Sequence, residues 1–344
     1  MKKFKLFVGI DISKKTLDVM VGKDEPSSTH HQCSNDAKGI GQLLAIIAHY
    51  KLKQNQVLIC CEHTGAYLDK LAYALRGTEH LLWVVHPLML KNYATDLNRF
   101  KTDKADAKKI MLYAFYHQDR SRAYQYLDDK TAMLKELFTL RRQLVETRTQ
   151  YLNRKEAVNQ KARVHGLTEV VHQHMQSYLN DIIKHVEQEI KSMIASDEKL
   201  NNIYQILQSI PGIGPVIAQH ILFITDSFKK INNWRTFACY IGTAPFPHTS
   251  GTSVKTRTRV SRKSYKPLKA DLNQGIVSII RPGQLFHSYY KSLIQQNLHH
   301  LYILNKLKNI IIKVAFDLVK KNQVFNEELF LANKKSMQIN LAMS

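Results

Sequence analysis

Asp103 and Asp106 are the carboxylates whose spacing first suggests chemistry. They stand three residues apart, and the residues that follow them have a helical pattern. On a helix, positions i and i+3 share a face, so the two carboxylates can point into one small volume. Close carboxylates repel unless a cation lies between them, and a hard divalent cation is the usual partner. The alternative is an ordinary helix start, with Thr102 as the N-cap and two acids that suit the helix dipole.

Two more carboxylates stand where predicted strands end. Short apolar runs predict strands that finish at Asp11 and at Glu62. Ligand sites in α/β sheets cluster beyond such ends, although a single acid there is most often a turn residue. With Asp103 and Asp106, the chain offers four carboxylates, which can bind two Mg²⁺ ions about 4 Å apart, with Mn²⁺ as a substitute. Such a pair of ions catalyses in-line phosphoryl displacement.

Residues 1–120 carry alternating strand and helix patterns. The strand patterns are short apolar or alternating runs, and the helix patterns repeat apolar residues at three and four. The predicted strands are residues 4–12, 16–22, 29–33, 57–61 and 81–85, and the predicted helices are 37–50 and 67–76. Two hairpin-connected strands followed by alternating helices and strands predict a mixed α/β domain.

Residues 121–200 carry two long helical patterns that are joined near Gly166. Leucines recur every three or four residues before this point, and isoleucine, valine and methionine continue the spacing after it. The pattern is typical of an antiparallel or intermolecular coiled coil. An ordinary helical hairpin within one chain is the alternative.

Positive charge is the strongest compositional signal in the 344-residue chain. Lysine and arginine number 50 against 28 acids, a formal net charge of +22, and the hydrophobic content of 44% indicates a globular protein. Residues 228–320 hold 16 of these cations and only two acids. An excess of this size indicates a nucleic-acid-binding surface.

Other classes of protein have less support. The sequence shows no secretory signal pattern and no apolar run long enough for a membrane span, and its four cysteines lack metal-binding spacing. We expect a protein of the reducing cytoplasm that acts at the nucleoid and has no membrane partner.

The basic region contains two candidate DNA-contacting features. Gly212 and Gly214 lie between helical patterns and predict a helix-hairpin-helix-like turn, where backbone N–H groups can approach a phosphate; a plain tight turn is the alternative. A predicted loop at residues 242–253 then leads into a cationic run whose alternate residues would share one side of a strand. The run comprises Lys255, Arg257, Arg259, Arg262, Lys263, Lys266 and Lys269.

Ser250 lies in the predicted loop, directly before Gly251. A serine–glycine pair is usually just a turn. Beside a dense cationic patch, and in a chain with a candidate metal site, Ser250 is also a candidate nucleophile. Residues 276–318 predict further helices, and we expect residues 333–344 to form a flexible tail.

These features, in this order, resemble a known family. The matching residues are Gly9, Ile10 and Asp11; Glu62, Thr64, Gly65 and Tyr67; Lys101, Thr102, Asp103, Asp106 and Ala107; Ile210 to Gly214; and Gly242 and Pro245, which lead to Ser250 and Gly251. The chain resembles the DEDD transposases of the insertion-sequence family numbered one hundred and ten, which includes Piv-type DNA invertases and bridge-RNA-guided recombinases. The resemblance extends over nearly the whole chain.

The resemblance implies a RuvC-like, RNase H-type N-terminal domain with Asp11, Glu62, Asp103 and Asp106 as metal ligands. It also implies a coiled-coil segment and a mainly α-helical transposase domain in which Ser250 attacks a DNA phosphate and forms a covalent link. The expected domains are residues 1–120, 121–200 and 201–332 in that order. The expected partners are double-stranded DNA, a guide RNA, and further copies of the chain, in a dimer or tetramer whose active sites combine residues from different subunits.

Three residues depart from the family's pattern. Phe246 replaces a frequent arginine, Ser264 a common glycine, and His63 a small residue after Glu62. These departures put the local loop geometry and the target preference in doubt, but they leave the proposed ligands and the serine unchanged.

The sequence leaves three functions open. The first is a DNA recombinase that acts through a serine–DNA intermediate, in transposition or in site-specific inversion. The second is a hydrolytic RuvC-like nuclease or junction resolvase, in which water attacks the phosphate. The third is a non-catalytic nucleic-acid-binding protein whose acids are structural.

Overall fold

The computed structural model describes residues 4–93, 102–250, 254–260 and 264–331, with side chains described outside residues 92–93 and 246–259. The chain forms two compact units, Met1–Leu127 and Asp128–Ser344. The predicted tail at 333–344, together with Gly251, Arg262 and Lys263, lies outside the described residues. The division into three domains stays a prediction.

The first unit is built on a five-stranded mixed sheet. Its strands are β1 (Leu6–Ile12), β2 (Thr16–Gly22), β3 (Thr29–Ser34), β4 (Val57–Glu62) and β5 (Leu81–Val85). They lie in the order β3-β2-β1-β4-β5, where β2 is antiparallel to both β1 and β3, and β4 is parallel to both β1 and β5. Each predicted strand is present.

Helices cover both faces of this sheet. They are α1 (Ala37–Ala48), α2 (Asp69–Leu75), α3 (Pro87–Tyr93) and α4 (Asp103–Tyr116). Helices α1 and α2 pack on the face that carries Val8 and Ile10, whereas α4 packs on the face that carries Phe7. The central strands are apolar on both sides because both faces are covered. The predicted mixed α/β architecture is confirmed.

The second unit begins with two long helices that pack against each other. These are α5 (Asp129–Asn159) and α6 (Gly166–Ala195). They run antiparallel, since Arg141 lies 2.6 Å from Glu187, whereas Lys155, later in α5, donates to Gln176, earlier in α6. Within one chain they form a helical hairpin, and the coiled coil stays a prediction.

A cluster of shorter helices completes the second unit. They are α7 (Glu198–Gln208), α8 (Pro215–Thr225), α9 (Trp234–Ile241), α10 (Lys266–Ile279), α11 (His287–Gln295) and α12 (His300–Lys321). Their buried faces share one apolar core with the end of α6. Within the described ranges, no helix combines the length and apolarity that crossing a bilayer requires.

A two-stranded hairpin lies between α9 and α10. It consists of β6 (Pro245–Ser250) and β7 (Val254–Val260). The loop predicted over residues 242–253 is therefore wrong over β6. Pro245 opens the strand and Pro247 falls at a shift in the pairing register, two positions where a strand tolerates proline. Pairing with β7 overrides the loop-like composition.

Candidate active site

Helix α4 lies directly on strand β1. The rings of Phe7 and Phe115 meet edge to face with centroids 5.1 Å apart. Two residues along the strand, a Cβ on Gly9 would collide with the backbone of Ala107 and Met111. The helix therefore runs antiparallel to β1, and its first turn lies at the carboxyl end of the strand, beside Asp11.

Replacing Gly9 with alanine is expected to destabilise the first unit by about 2 kcal/mol or more, because the helix backbone would have to move off the strand. Gly41→Ala is the matched control, since a Cβ on Gly41, in α1, meets no atom within 4 Å. That control should be neutral or slightly stabilising. Urea unfolding of both variants measures the difference, and equal stability would contradict the close packing of α4 on β1.

The start of α4 has both features that the sequence suggested. The Thr102 hydroxyl caps the helix by accepting a hydrogen bond from the backbone N–H of Ala105 at 3.2 Å. Asp103 and Asp106 occupy the first turn. They also continue the buried stripe of Ala107, Ile110, Met111 and Ala114 by one turn. The cap and the shared face are therefore compatible, and the two acids stand at the edge of the core.

Asp11 and Glu62 lie at the ends of neighbouring parallel strands. Ile10 pairs with Cys61, and the two acids follow this pair by one residue on each strand. Side chains alternate along a strand, so Asp11 lies on the same face as Gly9 and therefore faces α4. The sheet register and the helix thus bring the four predicted carboxylates toward the same end of β1.

The pKa of Asp11 reflects its burial and the nearby carboxylates. Burial, and then the charges of Asp106, Asp103 and Glu62, raise the pKa of Asp11 from 3.8 to about 6. Among the described residues, no group of three or more acid, histidine or cysteine side chains already has metal-binding geometry. The donors are all carboxylate oxygens that repel one another, which is the donor set a hard divalent cation suits and neutralises.

A fifth carboxylate, Asp18, was missed by the sequence interpretation. It stands opposite Asp11 in the β1–β2 pairing, is only 4% exposed and further raises the pKa of Asp11. Its carboxylate lies 3.0 Å from Nε2 of His30 and accepts from the amide of Gln32 at 3.3 Å. The signal was available, since an acid within an otherwise apolar strand needs polar partners when it is buried.

The candidate nucleophile lies in the second unit. Ser250 is the last residue of β6 and pairs with Val254. Lys255, Arg257 and Arg259 alternate along β7, as the sequence predicted. Of the later cations, Lys266 begins α10, and Lys269 donates a 2.6 Å hydrogen bond to the carbonyl of Gly242.

The predicted turn at Gly212 and Gly214 joins two helices, α7 and α8. Gly212 has a φ of 85°, and a Cβ there would lie 3.0 Å from the carbonyl oxygen of Gly275. Exposed Gly214 is the N-cap of α8 and has no capping side chain, so the first N–H groups of α8 receive no side-chain cap from it. Gly212 is therefore explained by the turn and by its close packing on α10, and the exposed start of α8 is the part of this turn that suits contact with a phosphate.

A buried polar network in the second unit was also missed. His220 is 1% exposed, with Nδ1 lying 2.8 Å from the carboxylate of Asp271 and Nε2 lying 3.0 Å from the hydroxyl of Tyr265. Arg142 of α5 donates to the same hydroxyl at 2.9 Å. The network ties the segment that follows β7 to α5, α8 and α10. No local spacing signals it, because its members are far apart in sequence.

Tyr265→Phe is expected to lower the free energy of unfolding by about 2 kcal/mol, since it removes the acceptor of Arg142 and a partner of His220. Tyr302→Phe, at a tyrosine that is 56% exposed, should change it little. Urea denaturation compares the two variants. If both unfold at the wild-type midpoint, the network does not stabilise the unit.

Two family models match the chain. A DEDD transposase model of the IS110 type matches residues 8–161, which include all four carboxylates. The model of the transposase IS116/IS110/IS902 family matches residues 204–291, which include Ser250. The chain belongs to the IS110 family of transposases.

Individual relatives agree with the family assignment. Pilin gene-inverting proteins of Moraxella lacunata and Moraxella bovis are each 26% identical over 341 residues, which cover 94% of this chain and 99% of theirs. A putative transposase of Sinorhizobium fredii is 23% identical over 282 residues, 74% of this chain and 71% of its own. As an IS110-family protein, the chain is a DNA recombinase or transposase in the broad sense.

Proposed function

We propose that this protein exchanges DNA strands by phosphoryl transfer, with the four carboxylates as its metal site. One observation carries the proposal: in a member of this family, the ends of β1 and β4 and the first turn of α4 bring four carboxylates toward the same end of β1, where burial and then the charges of the other three raise the pKa of Asp11. The strand order of the first unit supports a RuvC-like, RNase H-type fold for this domain.

Asp11, Glu62, Asp103 and Asp106 would hold Mg²⁺, two ions in this proposal, with Mn²⁺ as a substitute. When bound, such ions stabilise the negative charge that develops on a phosphate during displacement. The carboxylates themselves hold the ions at the carboxyl end of β1, while the packing of α4 on β1 fixes the distance between the two pairs of acids.

Ser250 is the proposed nucleophile. Its Oγ loses a proton and bonds to the phosphorus, while the bond from phosphorus to one sugar oxygen breaks and that oxygen leaves as a hydroxyl. The reverse reaction, by another DNA end, restores the serine and joins the strands. The covalent link keeps the energy of the phosphodiester, so rejoining needs no other energy source. The position of Ser250 at the tip of a hairpin in the most basic region supports this role.

DNA contacts are proposed for the turn at Gly212 and Gly214 and for the cationic residues from β7 to α10, which are Lys255, Arg257, Arg259, Arg262, Lys263, Lys266 and Lys269. We further propose a guide RNA transcribed beside the gene, and assembly into a dimer or tetramer through α5 and α6. The exposed apolar side chains of Leu152, Val170 and Val171 on these helices support the assembly.

A strand-exchange assay tests the proposed function. Purified protein, with RNA transcribed from the flanks of its gene, is incubated with plasmids that carry those flanks, in Mg²⁺ or in EDTA. We expect recombinant junctions in Mg²⁺ only. Cleaved DNA without joined products would favour the hydrolytic nuclease, and bound but uncut DNA would favour a non-catalytic binding protein.

Site-specific inversion is the second candidate. Its support is the alignment with the pilin gene-inverting proteins along almost their whole length. An inverting enzyme would flip a plasmid segment that is bounded by the gene's neighbouring sequences, whereas a transposase would release that segment or insert it elsewhere. Sequencing of the plasmid junctions separates these outcomes.

A further inference from the structure

Lys308 of α12 is a buried cation without a counter-charge. It is only 5% exposed, and among the described residues it has no ion-pair partner. Burial, and then the charge of Lys269, lower its pKa to about 8. An unpaired ammonium is costly inside a protein, so its retention calls for an explanation.

The surroundings of Lys308 lie at the base of the β6–β7 hairpin. Lys269 donates to the carbonyl of Gly242, the residue that ends α9 with a φ of 73°. Asn305 and Asn309, on the same turns of α12 as Lys308, both donate to the carbonyl of Thr243, at 2.6 and 3.0 Å. Side chains from α10 and α12 thus hold the two carbonyls that precede β6.

None of these hydrogen bonds neutralises the positive charge of the two ammonium groups. Lys269 uses one hydrogen-bond donor on Gly242 and, like Lys308, forms no ion pair within the described residues. Two neighbouring cations without a carboxylate repel each other, and burial strengthens the repulsion. An anion between or beside them would remove both costs.

We propose that Lys308 and Lys269 form an anion site at the base of the β6–β7 hairpin that binds one phosphodiester group of the nucleic acid. The site rests on the proposed function, in which Lys269 already contacts DNA, and adds Lys308 as a second, buried contact. A phosphate bound there would lie beside Gly242 and Thr243, which lead into β6, the strand that ends at Ser250. Binding would therefore both anchor the nucleic acid and stiffen the hairpin.

The test measures stability and binding on the same variants, Lys308→Met and the alternative Lys308→Gln. Because the free protein loses an unpaired buried charge, we expect Lys308→Met to raise its melting temperature by about 2–4 °C. We expect affinity for DNA or guide RNA to fall about tenfold, and the plot of log K against log salt concentration to become shallower by about 0.9. Lys320→Met is the control, since Lys320 is exposed on the same helix.

A second arm uses inorganic phosphate as the probe. Phosphate should raise the melting temperature of the wild type and of Lys320→Met, and should have a smaller effect on Lys308→Met. If Lys308→Met melts lower, Lys308 serves the fold by donating to the unpartnered amide oxygens of Asn305 and Asn309, and the proposal fails.

Two further outcomes also decide. If Lys308→Met is more stable but its affinity for nucleic acid keeps the wild-type salt dependence, the phosphodiester site is overturned. The same holds if Lys308→Met loses only the stabilisation by inorganic phosphate, because the site would then bind a free anion. If the wild type binds no nucleic acid at all, the proposed function fails, while the phosphate arm still reports whether the two lysines bind an anion.

Discussion

Asp11→Asn is expected to reduce DNA strand cleavage by about 10³-fold or more, equivalent to ~4 kcal/mol of transition-state stabilisation. Asp11 is the residue on which the other three carboxylates converge, so a neutral amide there weakens the whole metal site. The folded protein should survive the change, because an amide of the same shape relieves repulsion from Glu62, Asp103 and Asp106.

Whereas Asp11→Asn should lower activity, it should remove a loss of stability that the metal-free wild type suffers as the pH rises. This contrast distinguishes a metal site from a structural role for Asp11. A carboxyl whose pKa is raised by folding favours the folded state when it is protonated. The contribution of protonated Asp11 to the stability of the folded state is therefore complete below about pH 4 and is lost as the pH rises through about 6. Without metal, the wild type should lose about 2 kcal/mol of stability across this range, after allowance for solvent screening, and Asp11→Asn should not.

Thermal unfolding with and without Mg²⁺ measures this contrast. Mg²⁺ at pH 7.5 should raise the melting temperature of the wild type and leave Asp11→Asn nearly unchanged. Glu79→Gln, at an exposed acid of the same unit, should behave like the wild type. Equal responses of wild type and Asp11→Asn to Mg²⁺ would contradict the proposed ligand role.

Ser250→Ala is expected to abolish the covalent protein–DNA adduct while leaving DNA binding and the response to Mg²⁺ intact. The methyl group has no atom that can bond to phosphorus, so no joined product should form. Thr249→Val, at the preceding position of β6, is the control and should retain the adduct. The adduct is visible as protein that stays with DNA in denaturing gels. Normal cleavage by Ser250→Ala would show that water is the nucleophile.

Local patterns in the sequence predicted much of the first unit. The runs at 16–22 and 81–85 match β2 and β5 at both ends, and Thr102 caps α4 as expected. Strands that are apolar on both faces and helix caps are decided by neighbouring residues, so they can be recognised without knowing the fold. Strand ends and helix spacing also suggested that the four carboxylates could meet, while their role as metal ligands came from the resemblance to the transposase family and stays a prediction.

The features that the sequence did not reveal depend on distant contacts. Strand β6 looked like a loop because its two prolines are acceptable only when β7 pairs beside it. His220 and Asp271 are 51 residues apart, and nothing near either of them predicts their contact. Lys308 resembles any lysine of a basic helix until the packing of α9 and α10 buries it.

The most direct test of the account is identification of the amino acid that becomes joined to DNA. Wild-type protein, with RNA transcribed from the flanks of its gene, is incubated in Mg²⁺ with nicked DNA that carries those flanks, so that the leaving strand is lost and the adduct accumulates. The adduct is then digested and the modified peptide is sequenced by mass spectrometry. The account predicts a nucleotide on Ser250, and none in EDTA or with Asp11→Asn. A nucleotide on another residue such as Tyr265, or cleavage without any adduct, would contradict it.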